Sequence, residues 1–301
     1  MAIPGRLKCN CGYSSERSTE RVAGETEKYG LQGAAKRSEL ISCEEDRLAS
    51  FLRERNFEHA NLVAEAVSPR RNLYSRYGKR ALDFVIALVM LLVTLPFNAV
   101  FGILTLCDVG RPVLYKQERT GRGGKSFVMV KFRNMNEKRD EEGNLLPASE
   151  RVTRFGHFMR KYSLDELLNF WSVLKGDMSI IGPRPYPTFF TDRMTDRHKM
   201  RHAVRPGIEC PKMISLPNEA ERLYNIKLEN DIWYVENVSF KTDLRMVGKL
   251  FSMVFNLKVR GKHADSLSYF VGYDGDGFAL GTREAKEYVA QFQEFKDSAD
   301  E

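Results

Sequence analysis

The amino-acid pattern points to an α/β chain carrying a re-entrant membrane helix hairpin, on three observations. One strongly apolar stretch, Ala81 to Cys107, contains Pro96 near its middle. Basic residues flank it on both sides, with Arg76, Lys79 and Arg80 before it and Arg111, Lys116, Arg119, Arg122 and Lys125 after it. Beyond it, short β-like runs alternate with turns and lead into a capped helix.

The 301 residues hold 47 Lys and Arg against 40 Asp and Glu, a formal charge of +7, and the basic excess lies between Arg70 and Arg205. Such a balance suits phosphate-bearing partners, whether nucleotide, nucleic acid or anionic lipid. With 43% hydrophobic residues the chain can bury a sizeable core, which excludes a disordered protein. Cys9, Cys11, Cys43, Cys107 and Cys210 are odd in number and show neither a disulfide framework nor a four-ligand zinc spacing, so a reduced, cytosol-facing protein is expected. No recognition helix, RNP-like aromatics or zinc spacing is visible, and nucleic acid is not expected as a partner.

Residues 1–33 are polar and rich in Gly, Ser, Arg and Glu, reading as a flexible segment without a signal peptide. From Ser38 to Val67 the recurrence of Leu48, Phe51, Leu52, Phe57, Leu62, Val63 and Ala66 predicts a helix closed by Ser68-Pro69, packed on the main domain or lying on a membrane surface. As one straight helix the apolar stretch would be about 40 Å long, enough for a hydrocarbon core of about 30 Å, but each half alone is too short. Pro96 interrupts helical hydrogen bonding. Lys and Arg at both ends favour the cytosolic side and so predict a helix-break-helix that enters and leaves by one face. A kinked core helix and a single crossing are the alternatives. Pro112 to Lys116 and Ser126 to Phe132 read as strands around the turn Gly121-Arg122-Gly123-Gly124. A charged loop follows from Asn134 to Ala148, and Asp265 to Glu301 carries a mixed patch and an acidic helix, with Asp274-Gly-Asp-Gly as a turn.

The candidate chemistry lies between Arg151 and Ser179. Ser163 with Glu166 three residues on forms a capping-box pattern, Gly176 closes the helix, and Leu164, Leu167, Leu168, Trp171 and Leu174 form its expected buried stripe. Asp165 and Glu166 then occupy the first turn, where free N–H groups favour carboxylates, and such residues are usually only caps. A cap does not need the cations nearby: Arg154, Arg160 and Lys161 before the helix and Arg184 in Gly182-Pro183-Arg184-Pro185 after it. Two carboxylates among cations can hold Mg²⁺ and a pyrophosphate, and an aspartate can attack phosphorus to form an acyl phosphate. His157, His198 and His202 lie among basic residues and read as polar surface or phosphate neighbours.

From Tyr77 to Leu257 the chain resembles the bacterial sugar transferases, the monotopic phosphoglycosyl transferases. The blocks that carry the resemblance are Lys79-Arg80-x-x-Asp83 before the proline-broken stretch, Gly110-Arg-Pro-Val-Leu-Tyr-Lys-Gln-Glu-Arg, Lys131-Phe-Arg-Asn-Met, Ser163-Leu-Asp-Glu-Leu, Val173-Leu-Lys-Gly-Asp-Met-Ser, Gly182-Pro-Arg-Pro, Arg205-Pro-Gly and Asp231-Ile-Trp-Tyr-Val-Glu-Asn. The resemblance implies a small mixed catalytic domain with the re-entrant hairpin and interfacial amphipathic helices, on the cytoplasmic face of a bacterial inner membrane. It divides the chain into an N-terminal extension with one helix (1–75), the hairpin (76–110), the catalytic domain (111–257) and a C-terminal tail (258–301). It implies transfer of a sugar-1-phosphate from a UDP-sugar to polyprenyl phosphate with release of UMP, at the start of a membrane glycan such as exopolysaccharide. Asp165 would be the nucleophile, with Glu166 its partner near Mg²⁺. Lys131, Arg133, Arg160, Arg184 and Arg205 would bind phosphate, and Pro96 would break the membrane helix. Membrane lipid is an implied partner, and a homo-oligomer is compatible with the sequence without being specified by it.

Three positions depart from the family pattern. After Pro206-Gly207, where the family usually continues Ile-Thr-Gly-x-Ala-Gln-Val-x-Gly-Arg, this chain reads Ile208-Glu209-Cys210-Pro211-Lys212-Met213-Ile214-Ser215-Leu216-Pro217 and lacks the arginine. That leaves an altered donor, a substitute such as Lys212, reduced activity, or a membrane-anchored binding or scaffold protein without turnover. Leu168-Asn169 stands for the frequent Pro-Gln, and Leu95 precedes Pro96 where serine is common.

Overall fold

The computed structural model describes residues 43–141, 143, 145–146, 148–217, 222–255, 269–292 and 295. Cys9, Cys11, the polar segment 1–33 and the start of the helix expected at Ser38 lie outside the described residues. The architecture is mixed α/β, with three two-stranded sheets and one long apolar helix.

Helix α1, Cys43–Leu62, begins with Glu44, Glu45 and Asp46, whose charge complements the free N–H groups of its first turn. Its periodic residues Leu48 and Leu52 are fully buried, but their partners come from the far end of the chain. They pack on strands β5 (Phe270–Tyr273) and β6 (Ala279–Gly281) and on the short helix that follows, residues Thr282–Val289. The two ends of the chain thus fold together as one module. Its strands also pack on the central segment of the chain, through a cluster of Phe270, Tyr273 and Ala279 with Phe190, Met194, Tyr224 and Leu228. The Asp274 turn forms as expected, with Asp274 Oδ1 accepting from the N–H groups of Asp276 and Phe278.

A π-helical turn, Tyr74–Gly78, leads into helix α2, Lys79–Val109, which is continuous and contains Pro96. The expected break into two helices is not seen: the hydrogen-bonded helix runs through the proline. Just before it, Thr94 Oγ1 donates to the Met90 carbonyl at 2.7 Å and accepts from Asn98 Nδ2 at 3.3 Å, a pattern that bends helices. The alternative of a buried core helix is excluded by exposure, since large apolar side chains from Leu82 to Leu106 face outward. Both ends of α2 nevertheless touch the globular part. At the start, Arg80 donates to the Val173 and Leu174 carbonyls (2.6 and 2.8 Å), Asp83 accepts from the Ile180 N–H (3.1 Å), and Ala87 is fully buried against Val173 and Met178. At the end, Asp108 accepts from Thr153 Oγ1 at 2.5 Å, and Arg133 donates to the Val109 carbonyl.

Strands β1 (Leu114–Thr120) and β2 (Ser126–Phe132) follow the expected strand, glycine turn and strand and pair antiparallel, with β1 running on to Thr120, past its expected end at Lys116. Helix α3, Arg154–Tyr162, is capped by Thr153, whose side chain accepts from the Gly156 N–H. Helix α4, Asn169–Lys175, ends at Gly176, whose φ of 98° is the left-handed conformation that glycine adopts without strain. Strand β3 (Ser179–Ile181) pairs in parallel with β4 (Gly207–Glu209), so close that a Cβ on Gly207 would lie 2.1 Å from the Gly182 nitrogen. Helix α5, Leu223–Asn237, is buried along much of its length, whereas α6, Phe240–Phe255, exposes Phe240, Leu244 and Phe251 along one face.

Candidate active site

The local structure around Asp165 differs from the expected capping box. Ser163 does not cap a helix with its side chain. It ends α3 in the left-handed conformation (φ 55°), the one described non-glycine residue at positive φ. The chain then makes a 3-10 turn, Leu164–Glu166, before α4 begins at Asn169. This break resets the helical register: Asn169, Ser172 and Val173 face inward, and Trp171, expected in the stripe, is 54% exposed.

The sharp turn drives Asp165 inward, to 6% exposure, while its neighbour Glu166 faces a pair of cations. Asn134, just after β2, donates from Nδ2 to Asp165 Oδ2 at 2.9 Å, and the same amide's oxygen accepts from Arg160 at 3.0 Å. Asn134 therefore orients the carboxylate and one arginine together. Gly156 permits this approach, because a Cβ there would lie 2.1 Å from the Asn134 carbonyl oxygen. Lys131, on β2, donates to Glu166 at 2.6 Å. Arg184 reaches both Glu166 oxygens at 2.8 and 2.9 Å and Glu209 at 2.9 Å.

These neighbours separate the two carboxyls electrostatically. Burial raises the pKa of Asp165 above the usual aspartate value, opposed by Lys131 and Arg160 and reinforced by Glu166. Burial would also raise Glu166, but the Arg184 and Lys131 charges outweigh it and hold it at about 2. Glu166 in turn holds the Arg184 guanidinium above its ordinary range. Arg119 joins this field, drawn down to about 10 by burial despite the attraction of Glu166. It donates to the Pro185 carbonyl at 3.0 Å and to Gln117, and its Nε is buried without a partner among the described residues.

The structure brings together Asp165, Glu166, Lys131, Arg160 and Arg184. It sets Arg133 and Arg205 elsewhere: Arg133 pairs with Glu137 at 3.0 Å and the end of α2, and Arg205 donates to the Gly176 carbonyl at 3.0 Å, where with Arg80 it satisfies the end of α4. Arg154 and Lys161 are exposed, and Lys212 lies on the surface with its carbonyl accepting from Lys249. His198 is not a surface residue: it is buried between the Tyr273 hydroxyl (2.8 Å) and Glu229 (2.9 Å). His202 is also buried, which together with Arg201 draws its imidazole down to about 3.

Asn134, Arg119 and the supports behind Arg184 were not singled out from the sequence. Arg201 donates to the Arg184 carbonyl at 2.7 Å while paired with Asp231 at 2.6 Å, so the Asp231 block holds the Pro-Arg-Pro loop from behind. The signal for Asn134, Arg119 and Asp231 was their membership of the family's sequence blocks, whereas Arg201 lies in none of them. Among the described residues no three His, Cys, Asp or Glu side chains gather into a cage. Asp165 and Glu166 present hard oxygen ligands of the kind Mg²⁺ takes, yet Glu166 is already engaged by two cations. The pair fits Mg²⁺ as a site completed by substrate phosphates.

Residues 74–257 match the bacterial sugar transferase family. The chain is 39% identical over 169 residues to an uncharacterized sugar transferase, EpsL, of Bacillus subtilis (strain 168), covering 56% of this chain and 83% of that one. It is 35% identical over 178 residues to a UDP-N-acetylgalactosamine-undecaprenyl-phosphate N-acetylgalactosaminephosphotransferase of Aeromonas hydrophila, covering 57% of this chain and 42% of the relative. It is 31% identical over 186 residues to a UDP-glucose:undecaprenyl-phosphate glucose-1-phosphate transferase of Xanthomonas campestris pv. campestris, covering 59% and 38%. The chain thus spans less than half the length of the latter two. With a match over most of its length, the chain belongs to the bacterial sugar transferase family.

Proposed function

We propose that this protein transfers a sugar-1-phosphate from a UDP-sugar to undecaprenyl phosphate, through a covalent phosphosugar on Asp165. The observation that carries the reading is a buried aspartate, oriented by Asn134, beside a glutamate that gathers Lys131 and Arg184. Relatives named for this transfer to undecaprenyl phosphate support it.

In the first step an Asp165 carboxylate oxygen attacks the β-phosphorus of the donor. The Asp–O–P bond forms, the bond to the bridging oxygen breaks, and UMP leaves with the electron pair. A phosphate oxygen of the lipid then attacks the same phosphorus, giving the lipid diphosphosugar and releasing the Asp165 carboxylate. Lys131, Arg160 and Arg184 are proposed to neutralise phosphate charge as it shifts to UMP. Mg²⁺, held by Asp165, Glu166 and donor phosphates, would supply further charge neutralisation.

The same reading assigns α2 to the membrane as a re-entrant element. Both its ends dock on one globular domain while its apolar side chains face outward. The exposed apolar face of α6 then lies in the interface of the same leaflet, on the cytoplasmic side. Labels placed before Arg76 and after Arg111 are expected to be equally protected from outside; labelling of one end alone would demand a single crossing.

The function is tested by UMP release from a panel of UDP-sugars, with Mg²⁺ and undecaprenyl phosphate, for wild type and Asp165→Asn. Release that vanishes in the variant is expected. Equal release from both would remove Asp165 from the mechanism, and no release from any donor would favour a binding or scaffold protein, as the altered loop at 208–217 allows.

A further inference from the structure

We infer that Tyr269, supplied by the terminal module and lying beyond the family-matched residues, binds the phosphosugar half of the donor; this rests on the proposed function. Its backbone is clamped on both sides by Thr282, whose hydroxyl donates to Glu45 of α1 at 2.9 Å: the Tyr269 N–H donates to Thr282 Oγ1 (3.1 Å) and its carbonyl accepts from the Thr282 N–H (2.9 Å). Its ring stacks on Phe190, with centroids 5.9 Å apart and planes at 21°.

Phe190 belongs to the 3-10 turn that follows the Gly182-Pro183-Arg184-Pro185 loop, and Arg119 fastens that loop through the Pro185 carbonyl. Tyr269 is therefore seated against the segment that presents Arg184. Among the described residues its phenolic oxygen has no hydrogen-bond partner, yet it is not sealed from solvent. It lies within electrostatic reach of both Arg119, which feels Glu166, and Arg160, which feels Asp165.

Burial and the Glu45 carboxylate raise the Tyr269 pKa against the pull of Arg119 and Arg160, so the group is a neutral O–H donor set between one carboxylate and two guanidiniums. An aromatic face, one free O–H and two guanidiniums suit an oxygen-rich anion attached to a sugar ring. Because Tyr269 lies outside residues 74–257, it is separate from the segment shared across the family, as a donor-specificity determinant would be.

The test uses the full chain in detergent with Mg²⁺. Binding of UDP-hexoses, UDP-N-acetylhexosamines and UMP is measured by calorimetry, alongside UMP release, for wild type and Tyr269→Phe. The phenylalanine keeps the ring on Phe190 and removes only the O–H. Kd and KM for the preferred donor are expected to rise about 3- to 10-fold, the value of one lost hydrogen bond, with kcat, Tm and UMP affinity unchanged. Unchanged donor affinity, or equal weakening of UMP, would overturn the inference, as would a fall in Tm that accounts for the loss. Should wild type bind a donor without releasing UMP, the proposed transfer fails while the Tyr269→Phe binding ratio still decides this inference. Absence of binding to every donor would sink both.

Discussion

Asp243→Asn is expected to loosen the membrane helix from the catalytic domain. Asp243, on α6, accepts from Lys79 Nζ and the Tyr74 hydroxyl at 2.6 Å each through Oδ2, and from the Tyr234 hydroxyl at 2.8 Å through Oδ1. Four elements meet at this carboxylate, and the Lys79 and Asp243 side chains are only 11% and 9% exposed. Removing one partner from a buried ion pair costs about 3–5 kcal/mol, chiefly because the other charge is left uncompensated. The low end, about 3 kcal/mol, applies here because an amide oxygen still accepts one hydrogen bond. For a chain of this size that lowers Tm by about 5 °C. Thermal unfolding in detergent reads this, with Lys79→Met/Asp243→Leu as the companion variant. The double substitution removes both charges and should recover much of the loss. A double variant as unstable as Asp243→Asn, or an Asp243→Asn protein with unchanged Tm, would refute the reasoning.

Two further outcomes follow from the site. Because burial raises the pKa of Asp165 and Lys131 opposes that rise, the acid limb of kcat/KM should lie above the ordinary aspartate value and move to higher pH in Lys131→Met. Glu166, at about 2, stays ionised through that range; its contribution to stability is present above its ordinary value of 4.5 and is lost only as pH falls toward 2, so a limb that does not move in Lys131→Met would contradict the assignment to Asp165. Gly156→Ala should lower kcat at least about tenfold by forcing Asn134 off Asp165, since the added Cβ would sit 2.1 Å from the Asn134 carbonyl oxygen, and wild-type turnover would show that Asn134 does not position the nucleophile.

The β1–β2 hairpin, the glycine that ends α4 and the Asp274 turn were legible because each depends on local chemistry: alternation, a positive φ, an Asx-type hydrogen bond. The capping box at Ser163 was misread because Ser, Asp and Glu favour helix starts by the same local hydrogen bonds that also stabilise a 3-10 turn, and tertiary packing chose the turn. The cations split for a similar reason. The family resemblance placed Arg133, Arg160 and Arg205 in one class, whereas only packing separates an arginine near Asp165 from those that satisfy carbonyls at helix ends. Nothing local signals that Leu48 and Leu52 of α1 find their core in residues near 271 and 280, because the partners lie more than 200 positions away. The Lys79-Arg80-x-x-Asp83 block was recognisable as a family mark, and the structure gives its physical content as three separate ties from the membrane helix to the catalytic domain.

The covalent step is accessible to intact-mass and peptide mass spectrometry. Protein incubated with Mg²⁺ and the active UDP-sugar, without undecaprenyl phosphate, should release one equivalent of UMP and gain the mass of one sugar phosphate on the peptide containing Asp165. The adduct should disappear on addition of the lipid phosphate and never form in Asp165→Asn. UMP release that waits for the lipid, with no adduct at any time, would mean direct transfer and would contradict a nucleophilic Asp165.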